Sequence, residues 1–571
     1  MRQKTSARIR ILFFVIFAFM LLMVWRLYSL QVIHHEELLL RAENQYLGAN
    51  TKIFERGSIF LQGTGGTLVS GAALQSGWTV AIDPKRITDP AATFAKVSLY
   101  LPLLTRDDFF LKASRKTDPY EVLGLRIPDA IVKELRAEDL DGLIYSPEQW
   151  RYYPGGTLAS QVIGFVGFVD TTLKGVYGLE RMFDQVLTRK TSALTTNFFS
   201  ELFGDVETVV TDANAPQGDV VTTIDAATQS FLEKTLVATK ERWHSKRVAG
   251  IIMNPKTGEI VAMATLPNFD PNTYQETKDI SRFSNPMVES VYEMGSIIKI
   301  LDVAAGIDSG VITESSTYYD SGSIVLDTKT IRNFDSKARG TVSIKEILRQ
   351  SLNVGAAHVA KLLGHERMRE YFLEKFKLGE ETGIDLPGEV AGLTRNLESP
   401  RAVEYATAAF GQGIAITPVA TIRALASVVN GGYLVQPHVV SKLVYPGGRE
   451  KVFNYDDEKE KVLKPETSEI VSRILVSVVD EKLANGKHKM PHHTVGAKTG
   501  TAQIAIPGAG YSPDKFLHSF FGFVPAYNPR YVILLINIEP QGAKYASDTL
   551  TQPFVDTVHF LVNYYAIPPD R

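Results

Sequence analysis

The chain has 571 residues, 44% of them apolar, a formal net charge of −2 and no cysteine. That length can bury a large core and predicts roughly two to four domains. The near-neutral charge leaves no electrostatic footprint for nucleic acid, and the missing cysteines exclude disulfides, thiolate metal sites and a cysteine nucleophile while fitting an extracytoplasmic chain.

Residues 11–25 (ILFFVIFAFMLLMVW) are uncharged and apolar, a run shorter than the roughly 20 residues of a spanning helix. Arg10 and Arg26 can snorkel, and Leu27, Tyr28 and Leu30 extend the apolar pattern, so a membrane span is predicted at 10–31. Arg2, Lys4, Arg8 and Arg10 precede it with no acid among them. This places a cytoplasmic tail at 1–9 and the rest of the chain outside the plasma (inner) membrane. The competing reading, a cleaved signal peptide, lacks a small-x-small cleavage site, because Trp25-Arg26-Leu27-Tyr28 is a poor one.

Residues 32–48 continue the span as a predicted helical stalk, followed by strand-like runs at 51–54 and 56–60, a turn at Gly63-Thr-Gly-Gly66, and a strand at 77–84 that ends in a turn. From 85 to 150 helix-like and loop-like segments alternate without a chemical motif, as in a scaffold. Arg56, Arg151 and Glu180 stand in glycine-rich extended stretches and are either partners in a salt-bridge network or unconnected surface charges. The turn-rich run 212–218 (DANAPQG) is the predicted boundary between a domain at 32–218 and one at 219–571.

Beyond it, 219–224 is a predicted strand, 226–240 a helix, and two apolar runs around Asn254-Pro-Lys-Thr-Gly258 a hairpin. Two further strands at 518–524 and 531–538 and a closing helix at 549–565 imply a sheet joining strands from both ends of the domain. Between them, Ser296 and Lys299 stand on one face at the start of a nearly all-apolar predicted helix ending near Gly310. Burial disfavours an ammonium, so Lys299 can accept the proton of Ser296, and a serine at a first turn also exposes its backbone N–H as an oxyanion donor. The same spacing recurs at Ser512-Pro-Asp-Lys515, in a predicted loop.

Gln350-Ser351-Leu352-Asn353 precedes an apolar helical run at 354–363, which sets Ser351 and Asn353 at the helix start or in the loop feeding it. Asn353 can position a substrate amide and Ser351 can pass a proton. Residues 495–504 form a predicted strand in which Gly500 leaves room for a ligand backbone. An extended peptide can pair along that edge, with the Lys498 ammonium and the Thr499 and Thr501 hydroxyls facing a carboxylate. Lys256-Thr257-Gly258 repeats the tripeptide at a hairpin tip, so the signal lies in the order and context of all three motifs together.

In these motifs the chain resembles the class B penicillin-binding proteins, membrane-anchored transpeptidases that cross-link peptidoglycan. The flanking phrases match too: Arg56-Gly57, Arg151-x-Tyr-Pro154-x-Gly156, Gly178-Leu-Glu180, Pro255-Lys-Thr-Gly-Glu259, Thr382-Gly-Ile-Asp-Leu-Pro-Gly388, Gly411-Gln-Gly-Ile-Ala-Ile-Thr-Pro418 and Lys498-Thr-Gly-Thr-Ala-Gln503. The resemblance implies a multidomain α+β chain, with an elongated pedestal at 32–218 and a transpeptidase domain at 219–571 built on a five-stranded antiparallel sheet flanked by helices. It implies Ser296 as acylated nucleophile, Lys299 as general base, and Ser351, Asn353 and Lys498 as the proton-relay and positioning shell. Thr499, Gly500 and Thr501 would hold the substrate, and the backbone N–H groups of Ser296 and Thr501 would form the oxyanion hole. No cofactor or metal is expected. The expected ligands are peptidoglycan stem peptides of the lipid-linked precursor or nascent glycan, and β-lactam antibiotics. The expected partners are a polytopic glycan polymerase of the shape, elongation, division and sporulation family, and other division proteins.

Five positions depart from the family pattern: Met294 for the usual proline, Ala497 for a glycine, Leu61-Gln62 for Asp-Arg, and Gln161 for a histidine. Residues 32–218 carry no acidic glycosyltransferase motif of a bifunctional relative. The nearest match to a β-lactamase deacylating glutamate, Glu481-Lys-Leu-Ala-Asn485, has its leucine one position off, so the acyl-enzyme is expected to wait for an amine. Tyr292-Glu293, the run 266–272 and the compact loop at 504–518 resemble the division-specific branch. An elongation role and a non-catalytic β-lactam-binding assembly factor are the alternatives. Only His34 and His35 precede His244, too few for a zinc-bearing head. Pro491 breaks the helix that metal binding by His488, His492 and His493 would need, leaving a solvated loop.

Overall fold

Strands Arg247–Met253, Ile260–Leu266, Gly496–Ile506, Gly510–Val524 and Tyr531–Ile538 form a five-stranded antiparallel sheet in the computed structural model. The structure describes residues 19, 20, 23, 25, 55–170, 172–189, 217–456, 459–506, 508 and 510–571. The predicted tail 1–9, the stalk 32–48, the strand at 51–54, residues 212–216 of the boundary and all but four residues of the span at 10–31 lie outside the described residues. Among the described residues no helix is long and apolar enough to cross a membrane. The described residues fall into two compact units, Leu74–Trp150 and Arg56–Ala73 with Arg151–Arg571.

In the smaller unit the second part of strand Leu68–Ile82 pairs antiparallel with Glu121–Ile127, Trp78 opposite Ile127 and Ile82 opposite Glu121. Helices Pro90–Tyr100, Arg106–Ser114 and Asp129–Ala137 supply Val97, Phe109, Val132 and Leu135 to a core with Val80 and Ile82. Local signals start two of these helices. Asp89 accepts from the N–H groups of Ala91 and Ala92 ahead of Pro90, and Thr105 accepts from the N–H of Asp108.

In the larger unit the sheet order is Gly496–Ile506, Gly510–Val524, Tyr531–Ile538, Arg247–Met253, Ile260–Leu266. Strand Tyr531–Ile538 is apolar but for Asn537 because both faces of the sheet are covered. Ile533 and Leu535 enter a core with Leu232, Leu236, Leu550 and Phe554 of helices Ala226–Trp243 and Ala546–Tyr564. Val532, Leu534 and Ile536 point the other way, into the large core that holds helices Lys299–Asp308, Asn353–Arg369 and Pro418–Val429. Period-two alternation thus divides one strand between two cores. As expected, first and last strands of the domain meet, but the early partner is Arg247–Met253. The strand predicted at 219–224 forms as Asp219–Asp225 outside this sheet, parallel to Ile59–Gln62 and antiparallel to Val440–Val444.

Arg56, Arg151 and Glu180 are a buried network and not separate surface charges. Glu180 Oε2 accepts from Arg56 Nε and Oε1 from Arg151 Nε, both at 2.6 Å, with Asp184 Oδ1 taking Arg56 Nη1 at 2.8 Å. Arg151 Nη1 donates to the carbonyl of Gly57 at 2.7 Å, and the Tyr153 hydroxyl to Glu180 Oε1 at 3.3 Å. At the departures from the family pattern, Leu61 is buried and Gln62 Nε2 donates to the Thr222 carbonyl at 2.7 Å. Gln161 is buried with Nε2 near the carbonyls of Thr265 and Arg282, each at 3.3 Å.

Candidate active site

Ser296 lies in a 3₁₀ turn, Gly295–Ile298, and Lys299 begins the helix Lys299–Asp308 that follows. Residues three apart eclipse in a 3₁₀ turn, and Lys299 Nζ comes to 3.0 Å from Ser296 Oγ. The turn is seated on glycines. Gly295 has φ +65° and its N–H donates to the carbonyl of Gly411 at 3.2 Å, while a Cβ on Gly411 would stand 2.4 Å from the oxygen of Gly295. A Cβ on Gly500 would stand 2.8 Å from the carbonyl oxygen of Met294 and 2.3 Å from Ser519 Oγ. The space that the sequence reading reserved for a ligand backbone at Gly500 is filled by the serine turn itself, against which the strand must pack without a side chain. Ser519 Oγ donates to the Met294 carbonyl at 2.7 Å and pins the turn from the neighbouring strand. Met294 is fully buried there.

Ser351 occupies the junction between helices Lys345–Arg349 and Asn353–Arg369 with φ +56°, a left-handed conformation costly for a non-glycine residue and typical of functional sites. That bend aims both its carbonyl and its hydroxyl inward. Lys299 Nζ donates to the Ser351 carbonyl and to Asn353 Oδ1, each at 2.7 Å, with Ser351 Oγ at 3.2 Å. Asn353 opens its helix, and its Nδ2 donates to the Arg332 carbonyl at 2.8 Å, which fixes the amide with its oxygen toward the lysine. Lys498 Nζ reaches Ser351 Oγ at 3.0 Å and the Thr499 carbonyl at 2.9 Å.

Ser296, Lys299, Ser351, Asn353 and Lys498, drawn from three distant stretches, therefore form one hydrogen-bonded cluster. Ser296, Ser351, Asn353, Lys498, Thr499 and Thr501 line a cleft of about 830 Å³. Thr501 Oγ1 accepts from the N–H of Ala546 at 3.0 Å, which leaves its hydroxyl hydrogen to donate elsewhere. Burial, then the neighbouring Lys498 charge, holds the Lys299 amine well below the usual lysine range. Burial alone pulls Lys498 down to about 7. The site thus contains an amine disposed to be neutral, beside a hydroxyl, at the end of a cleft whose edge strand is open to an extended peptide.

The decoy motifs lie elsewhere in the fold. Lys256-Thr257-Gly258 makes the hairpin turn between Arg247–Met253 and Ile260–Leu266, with Gly258 at φ +87°. Ser512–Lys515 is not a loop but part of strand Gly510–Val524, where Lys515 pairs with Glu539 at 3.1 Å. The predicted loop at 504–518 is likewise mostly strand, because both sheet strands run on past the site. Glu481 is paired with Arg349, and His493 is buried with Nε2 at 3.0 Å from the Ile567 carbonyl. Sequence reasoning missed Ser519, Gly411 as the seat of Gly295, and the contacts of Glu293, whose Oε1 accepts from the Tyr511 hydroxyl at 3.0 Å and from the N–H of Gly413 at 3.1 Å. The phrases Tyr292-Glu293 and Gly411-Gln-Gly413 were the available signals for these contacts.

A family model described as the penicillin binding protein transpeptidase domain matches residues 248–558. Stage V sporulation protein D of Bacillus subtilis is 30% identical over 566 residues, covering 97% of this chain and 85% of that protein. The probable peptidoglycan D,D-transpeptidase FtsI of Caulobacter vibrioides is 29% identical over 475 residues, covering 81% of this chain and 73% of the relative. Among solved structures, penicillin binding protein 3 of Mycobacterium tuberculosis complexed with aztreonam aligns with a TM-score of 0.63 at 27% identity, covering 74% of this chain and 92% of that one.

Proposed function

This chain belongs to the class B penicillin-binding protein transpeptidases, and on that premise we propose that it cross-links peptidoglycan stem peptides in septal wall synthesis through an acyl-enzyme on Ser296. The observation that carries the reading is the hold on Lys299: a neutral amine with its two N–H bonds directed at the Ser351 carbonyl and Asn353 Oδ1 presents its lone pair to Ser296 Oγ, 3.0 Å away. Lys299 takes the serine proton as Oγ attacks the penultimate carbonyl of the donor peptide. The backbone N–H groups of Ser296 and Thr501 receive the developing oxyanion, where one such donor is worth about 100- to 1000-fold in rate. Ser351, between Lys299 and Lys498, relays the proton to the departing D-alanine amine. Lys498, Thr499 and Thr501 hold the donor's terminal carboxylate. An amine from a second stem peptide then attacks the ester, and β-lactams acylate the same serine.

Aminolysis in preference to hydrolysis is supported by Glu481, the nearest match to a deacylating carboxylate, being paired with Arg349. The non-catalytic reading is disfavoured by a complete cluster. Residues 10–31 are proposed as the anchor, with 1–9 cytoplasmic, a pedestal at 32–218 and the transpeptidase domain at 219–571 on the outer side, where a polytopic glycan polymerase would bind through span and pedestal. The likeness to a protein named for stage V of sporulation, over nearly the whole chain, favours a sporulation role as the second reading. Supplying a stem-peptide donor and an amine acceptor tests the chemistry: the amide-linked dimer should exceed the hydrolysed donor, and hydrolysis alone would defeat the transpeptidase assignment. Imaging a functional fluorescent fusion tests the setting, with mid-cell signal in dividing cells expected for the septal role and signal confined to sporulating cells supporting the second reading.

A further inference from the structure

A second cavity, of about 840 Å³, lies between helices Ala226–Trp243 and Ala546–Tyr564, which cover the sheet on the side opposite helix Lys299–Asp308. It shares no lining residue with the catalytic cleft. Phe231, Lys234, Thr235, Ala238 and Arg242 line one wall at the three- and four-residue spacing of a single helix face. Asp548, Gln552, Asp556, His559 and Asn563 line the other wall in the same way.

The Tyr564 hydroxyl donates to Asp225 Oδ2 at 3.1 Å at one end, the Phe231 and Phe560 rings stack with centroids 4.2 Å apart, and the Gln541 N–H donates to the Trp243 carbonyl at 2.7 Å at the other end. The helices therefore run antiparallel, which sets Lys234 level with Asp556 and Arg242 level with Asp548. All four are exposed, and none has an oppositely charged partner within salt-bridge distance among the described residues. Arg242 lies over the ring of its neighbour Trp243 at 5.2 Å, and Asp556 Oδ1 accepts from Gln552 Nε2 at 2.8 Å. Each wall thus repeats its charge after eight residues, about 12 Å along a helix, with opposite signs facing across an open groove.

Half-buried Phe231, Trp243, Pro553, Phe560 and Tyr564 give the groove an apolar lining. An extended segment laid there would leave backbone polar groups against rings, whereas a helix satisfies its own. A second copy of this chain would bring groove against groove and leave the space unfilled, so the fitting shape is a single ridge. One edge of a helix returns every seven to eight residues or so, which matches the charge interval on both walls.

We infer that this groove is the docking site for an amphipathic helix of another protein. That helix is apolar on the face that enters the groove, acidic on the edge beside Lys234 and Arg242, and basic on the edge beside Asp548 and Asp556. A helix with one sign of charge on both edges is repelled by one of the walls.

The test uses the full chain in lipid nanodiscs, where no free detergent competes for the groove. The probe is a fluorescein-labelled designed helix of about 18 residues with a leucine stripe, glutamates on one edge and lysines on the other. Fluorescence polarisation should show micromolar binding to the wild type that weakens as salt rises. Reversing either wall, by Lys234→Glu with Arg242→Glu or by Asp548→Lys with Asp556→Lys, should weaken binding roughly tenfold. Combining all four should restore it, because the probe then fits in the opposite direction. Ala238→Trp, which fills the groove, should abolish binding, and an unfolding midpoint equal to that of the wild type separates loss of the site from loss of the fold. A wild type that does not bind the probe, or binding indifferent to both reversals, would overturn the proposal. So would a dimer of the full chain, seen by cross-linking in vesicles, that Ala238→Trp dissolves, since the groove would then belong to a second copy.

Discussion

Lys299 Nζ and Asn353 Oδ1 meet at 2.7 Å in the interior, and this contact together with the Ser351 carbonyl orients the amine that faces Ser296. An amide oxygen accepts from the amine without favouring its charged form as strongly as a carboxylate would. Asn353→Asp should therefore raise the Lys299 pKa, because a carboxylate beside the amine favours its charged form. Penicillin acylation measured against pH should show its acid limb moved upward, with a slower rate at neutrality. An unmoved limb would remove Asn353 from the task of keeping the base neutral.

Gly500→Ala should cost about 100-fold or more in acylation rate, because displacing a reacting group by about 1 Å is enough for that loss. The added methyl meets Ser519 Oγ and the Met294 carbonyl, so the serine turn must move. Stopped-flow acylation kinetics read the effect, and a near-normal rate would show that the turn tolerates displacement.

Glu180→Ala leaves two buried guanidinium groups, Arg56 and Arg151, without their shared carboxylate. Breaking a buried pair from one side costs about 3–5 kcal/mol. The unfolding midpoint in urea should fall accordingly, with Glu180→Gln falling less because it keeps two acceptor lone pairs and the packing. A change no larger than that of an exposed substitution would contradict the burial of this network.

Lys498 gives stability a pH dependence of definite sign. Its folded pKa is about 7, below the ordinary 10.5. Between those values the unfolded chain binds a proton that the folded chain does not, so stability rises with pH. Below the folded value both states are charged and the burial penalty stands in full. Lys299 is shifted in the same direction. Unfolding midpoints at pH 7 and pH 9 should therefore rise in the wild type and rise less in Lys498→Met. An equal rise in both would assign the effect to other groups.

The membership of the candidate site was legible because its motifs are local. Ser296 and Lys299 share a turn, Ser351 and Asn353 bracket one helix start, and Lys498 to Thr501 lie on one strand, so spacing and apolar context were enough to nominate them. What the sequence left open depends on contacts between distant residues. The apolar run at 219–224 announces a strand but not its partners, which proved to be Ile59–Gln62 and Val440–Val444. Gly500 announces close approach but not by what, and the answer is Met294. Arg56, Arg151 and Glu180 are separated by 95 and 29 positions along the chain, and charge alone could not say whether they meet. The decoy at Ser512 was misplaced because Gly510 and Pro513 suggested a loop, whereas an edge-extended hairpin accommodates both.

The central claim is that Ser296 is the acylated nucleophile, activated by Lys299. Intact-mass measurement of the full chain after brief penicillin treatment tests it most directly. The account predicts one stoichiometric, persistent adduct of the antibiotic's mass on the wild type and none on Ser296→Ala. An unmodified wild type, or an adduct that survives the loss of the serine hydroxyl, would contradict it.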